Sequence, residues 1–179
     1  LRHKYHLQPL PKHIWKFMRM RPVNFPTIRI AQLAALLCNT SHLCAQLLEI
    51  KSLNDIRSLF EIKASTYWEN HVRFGVQTVN TSIKNLGDTA IDSIFINTLL
   101  PFLYLKATYE DHYEKKMQVL DWLVAIKPEQ NAILEKWKQC NWNSKNAFDS
   151  QSLLQLYNCY CLPKKCLDCA IGLSIFTLR

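Results

Sequence analysis

Apolar and polar positions along this chain recur mostly at helical spacing. Pro11 has no amide hydrogen to lose and suits a first helical position; Ile14, Phe17 and Met18 then fall on one face while Lys12, Lys16 and Arg19 fall on another. Arg21-Pro22 closes that segment, because a residue before proline avoids the helical region. A proline-bounded loop feeds a second helix, expected from Thr27 to Leu37 and apolar nearly all round. Arg29 and Gln32 are its strongly polar members, set side by side by i,i+3 spacing. Ser41 is expected to cap a third helix through Leu48, and Asn54 a short fourth over "DIRSLFEI".

Further on, "ASTYWENHVRFG" predicts a helical turn or two ended by Gly75, and the aperiodic "VQTVNTSIKN" a surface loop. Asp88 is a good N-cap for the longest helix, running through Leu100 and past Pro101 to Glu110. Pro101 denies the carbonyl of Asn97 its partner, so a kink is expected there. Two amphipathic helices, His112 to Ile126 and Pro128 to Cys140, are separated by Lys127-Pro128, and a last one follows Asp149 or Ser150 into a cysteine-containing segment.

The fold expected is all-α: one compact domain over residues 1–179, with eight or nine helices and a cysteine-containing loop at its C-terminal end. Composition supports it. Only three glycines leave few residues for the tight turns of a hairpin-rich fold, and 49% apolar content suffices for a full core. The stretch from Ile91 to Ala107 is membrane-like, but Asp92, Asn97 and Pro101 interrupt it, so no span and no membrane partner are read, and a cytoplasmic location is expected. The opening "LRHKYHLQPL" reads like the interior of a longer polypeptide, so a fragment is expected.

Charge adds a hint about partners. Residues 1–48 hold seven Lys or Arg and no acid, which fits either a polyanion such as nucleic acid or an acidic neighbouring domain. The polar set Arg21, Asn24, Thr27 and Arg29 surrounds Pro22 and Pro26, and its guanidinium groups at a helix start could hold phosphate. The favoured alternative is that these residues tie the loop to other helices. Lys12, Lys16 and Arg19 complete the basic candidates.

Four cysteines, Cys159, Cys161, Cys166 and Cys169, stand in a C-x-C-x4-C-x2-C run. Disulfides are disfavoured in a reducing compartment. A zinc site, an iron–sulfur cluster, a redox pair and a set of buried structural thiols stay open, with Pro163 keeping the intervening loop non-helical and Lys164 and Lys165 favouring thiolate. His71, near Tyr67 and Trp68, reads as a ring bonded within an aromatic pocket rather than a catalytic base. There is no H-E-x-x-H, P-loop, G-x-G-x-x-G or G-x-S-x-G pattern, and no catalytic constellation is expected.

The stretches "WKFMRMRPVNFPTIRIAQLAALL", "YWENHVRFG", "INTLLPFLY", "KNAFDSQSLLQL" and "YCLPKKCLDCAIG" together resemble the carboxy-terminal part of the bacterial family called domain of unknown function 2851. The matching positions include Arg21, Asn24, Arg29, Gln32, His71, Asn97, Cys161, Cys166, Cys169 and Gly172; Cys159 is less typical of the pattern. The resemblance implies a longer protein whose amino-terminal part is similar to the core of PD-(D/E)XK nucleases. Its implied partners are that missing domain and nucleic acid. The expectation is therefore a non-catalytic helical module that positions a nuclease-like domain, with structural packing, or a zinc or iron–sulfur site, as alternatives.

Overall fold

A computed structural model describes residues 3–177, the side chains of Lys12 and Thr177 excepted. It is 61% helical, which bears out the all-α reading, with a two-stranded antiparallel sheet among the described residues. Internal contacts divide the chain into two compact units, one up to Gly87 and one from Asp88 onward. Charge follows the same boundary. The first unit's sequence holds twelve Lys or Arg against four acids and the second's holds ten of each, so the net +8 belongs entirely to the first.

In the first unit, helix α1 (Pro26–Asn39) begins with proline at its first position, where the missing amide hydrogen costs nothing. Its Ile28 and Ala31 pack with Phe25, Ala64 and Trp68 in a core cluster flanked by Phe17 and Val72. Phe17 explains why the helix expected after Pro11 does not form. Only a single turn, Lys12–Ile14, is helical, and Arg19 sits at φ 60°. A helix that short is marginal by itself, and the chain instead turns Phe17 edge-on to Phe25, with ring centroids 5.0 Å apart. Lys16 and Arg19 therefore do not share a helical face; the side chain of Lys12 lies outside the described residues.

Two caps also differ from expectation. Helix α2 (Leu43–Glu49) is entered through His42 in the left-handed region, without a side-chain cap from Ser41. Helix α3 (Leu53–Phe60) is capped by Ser52, whose Oγ accepts from the Asp55 amide at 3.1 Å while its hydroxyl donates to the Asp55 carboxylate at 2.6 Å; Asn54 lies inside the helix. After one helical turn, Thr66–Glu69, strands β1 (His71–Arg73) and β2 (Val76–Gln77) form a hairpin, with Gly75 at φ 69° in its turn. The segment expected to be loop also returns as a bridge, Asn85 opposite Lys63, with Ala64 donating to the Lys84 carbonyl and Leu86 to that of Ile62. Pairs this short carry no readable alternation.

In the second unit, α4 (Asp88–Ile94), a wide turn over Phe95–Leu99 and α5 (Leu100–Tyr109) form one continuous 22-residue stretch. The disturbance expected from Pro101 takes the form of that wide turn: the Leu100 amide reaches back five residues to the Phe95 carbonyl. By length and composition the stretch could cross a membrane, at mean hydropathy 1.3, a test that core helices pass equally. Phe95, Ile96, Leu99 and Leu100 are buried, and α5 packs on α6 (Tyr113–Ala125).

Helix α7 (Ala132–Gln139) is capped by Asn131, which accepts from the amides of Ile133 and Leu134, both at 3.0 Å. Helix α8 (Ala147–Leu156) is capped by Asn146, accepting from the Asp149 amide at 2.9 Å. It thus starts two residues before Asp149, which occupies the first turn rather than the cap. A second wide turn, Tyr157–Cys161, extends α8; the chain then reverses through Lys164 at φ 57° into a turn, Cys166–Asp168, and α9 (Ala170–Thr177).

Candidate functional site

The polar residues around Pro22 and Pro26 form a chain of hydrogen bonds. Arg29 donates through Nη2 to Asn24 Oδ1 at 2.7 Å and through Nη1 to Gln32 Oε1 at 3.0 Å. Gln32, 2% exposed, donates in turn to the carbonyls of Asn85 at 2.8 Å and Lys84 at 3.3 Å. Thr27 Oγ1 donates to the Val72 carbonyl at 2.5 Å. The set ties loop, helix and two later segments together. Partial burial lowers the Arg29 pKa from its ordinary value, and its two terminal nitrogens are engaged by neutral side chains. Arg21 stands apart, with Lys16 and Arg19, on the exposed surface.

His71 lies under the ring of Tyr67, with centroids 4.0 Å apart and planes 12° from parallel. Its Nδ1 is 2.8 Å from the Tyr67 carbonyl and 2.7 Å from Asn70 Oδ1. Both are acceptors, so Nδ1 carries a proton. The Tyr67 hydroxyl accepts the Gly75 amide at 2.9 Å, which fixes the hairpin turn against the stack.

Sequence reasoning missed the residues that line an open, mainly apolar groove in this unit. Pro9, Leu10, Trp15, Phe17, Ile30 and Phe74 border a groove of about 750 Å³, together with Thr27 and Arg73. The Arg73 guanidinium lies 4.3 Å from the centre of the Phe17 ring and 5.3 Å from that of Phe25. A signal was present in the cations set beside aromatics in "WKF" and "RF", but nothing local shows that a hairpin brings them together.

In the second unit, Asn97 donates to Glu129 Oε1 at 2.8 Å and Gln151 to Glu129 Oε2 at 2.6 Å, so a carboxylate on the loop before α7 bridges the wide turn at Phe95–Leu99 and α8. Among the described residues no group of three or more His, Cys, Asp or Glu is placed to hold a metal ion. Cys159, Cys161 and Cys166 are exposed and Cys169 is buried. Desolvation pushes the Cys161 thiol up, helped by the neighbouring Cys169 and Cys166. Gly172 explains the packing there. A Cβ at that position would stand 2.2 Å from the Cys166 carbonyl oxygen.

A family model described as "Protein of unknown function (DUF2851)" matches residues 1–132. The chain belongs to that family. The matched region holds the Asn24–Arg29–Gln32 network, the aromatic hairpin and the groove, and it ends before the cysteine segment. No curated protein and no solved structure matches the chain.

Proposed function

We propose that this is a non-catalytic helical module that contacts nucleic acid through its first unit, positioning the nuclease-like domain that the family resemblance implies. One observation carries the reading: the whole net charge of +8 lies in residues up to Gly87, while the rest of the sequence is balanced. Concentrated positive charge binds phosphates through counterion release, and Lys16, Arg19 and Arg21 are exposed for it. Arg29 has a different task, holding Asn24 and Gln32. The test is binding of DNA and RNA by the full chain across a salt series. A steep fall of affinity with salt supports the reading, and no binding at low salt overturns it.

A second reading, docking of a protein partner such as the missing domain, is favoured by an apolar stripe on α1. Ile30, Leu33 and Leu37 recur on one face and are about half exposed. Salt-insensitive association with a separately expressed amino-terminal part would support it.

A further inference from the structure

We propose that the groove bordered by Trp15, Phe17 and Phe74 is a base-stacking platform, so that the nucleic acid taken by the first unit is single-stranded; this rests on the nucleic-acid reading above. Phe74 is 66% exposed, and its ring contact is an edge-on one with Trp68 at 5.1 Å. It adjoins Gly75, whose left-handed conformation and bond to the Tyr67 hydroxyl fix the turn that presents it. Such a ring is held at the surface rather than drawn into the core.

Beside it, Arg73 lies over Phe17 and lines the same groove, a cation held at an apolar wall. Lys16 stands in sequence between the two groove aromatics Trp15 and Phe17. Aromatic faces beside cations suit an unpaired strand, whose phosphates are neutralised while its bases stack on the rings. A duplex offers the same phosphates but keeps its base faces closed. Charge decides the occupant: an apolar peptide would fill the groove but would leave Arg73 and the first unit's excess of +8 without a counterpart.

The experiment is fluorescence anisotropy on the full chain with three labelled probes of about 12 nucleotides: oligothymidylate, an abasic strand of the same length, and a duplex. Oligothymidylate is expected to bind about tenfold tighter than the abasic strand. Phe74→Ala should abolish that difference while leaving the abasic affinity and the salt slope unchanged, and Phe74→Trp should keep it. If melting shows Phe74→Ala to be destabilised, Trp15→Ala read the same way decides. Equal binding of the oligothymidylate, abasic and duplex probes, or no loss in either alanine variant, overturns the platform but leaves the polyanion contact standing. No binding of any probe at low salt overturns both.

Discussion

Among the described residues, the buried polar side chains Thr27, Gln32, Thr40, His71 and Lys84 all lie in the first unit, and Ser150 in the second. The first unit joins α1 to shorter pieces with little backbone ladder between them, so side chains supply the links: Gln32 to the carbonyls of Lys84 and Asn85, Thr27 to that of Val72, His71 to that of Tyr67. The second unit is mostly helices that satisfy their own backbone, and its polar contacts include caps, the Glu129 bridge and the buried Ser150 hydroxyl. A buried side-chain link stabilises only while both partners remain. The first unit should therefore be sensitive to losing one polar atom, and the second to losing apolar volume.

Substitutions can break or sharpen that contrast. The largest effect is expected from Phe95→Ala in the second unit: the ring is fully buried, and its removal should cost about 3–5 kcal/mol, read from denaturant melts. A loss under about 1 kcal/mol would mean that this helix is not a core element.

Gln32→Leu in the first unit keeps volume but strands Arg29 and two carbonyls, for about 1–3 kcal/mol. A neutral outcome would remove the claim that polar links hold this unit. Gly172→Ala should cost about 1–3 kcal/mol, because its methyl group meets the Cys166 carbonyl. Cys161→Ser should stay within about 0.5 kcal/mol, and a chelator should not move the melting temperature of the parent chain. A chelator-dependent melt would restore a metal to the cysteine segment.

The smallest stability change is expected at the surface. Arg21→Ala should leave melting within about 0.5 kcal/mol yet lower the salt slope of nucleic-acid binding by about 1. Lys136→Ala in the balanced second unit should leave both unchanged.

The long helices were legible because their apolar residues repeat over several turns: α1, the stretch around Pro101 and α6 lie where the pattern puts them, while α7 starts at Ala132, four residues later than expected, behind the Asn131 cap. Caps were legible by type but displaced, since Ser, Asn and Asp cluster near most helix starts and backbone geometry chooses among them. That choice fell on Ser52 rather than Asn54, and on Asn146 rather than Asp149. The candidate site was half legible. Arg29, Asn24 and Gln32 stood out, but their shared network depends on Lys84 and Asn85, more than fifty positions from Gln32. The groove depends on a hairpin too short to leave any period.

By itself the sequence determined the helical class, the disturbance at Pro101, the basic amino-terminal excess and the family, because these rest on local periodicity, residue type and composition. Tertiary structure alone decided that residues 15–19 abandon a helix so that Phe17 can meet Phe25, and that Arg29 serves the fold while Arg73 and Phe74 border an open groove. It also decided that a compact unit ends at Gly87, where the charge becomes balanced, and that among the described residues no three metal-ligating side chains form a set that could hold an ion. Each of these turns on which side chains share a volume, and contacts between residues distant in sequence leave no period along the chain.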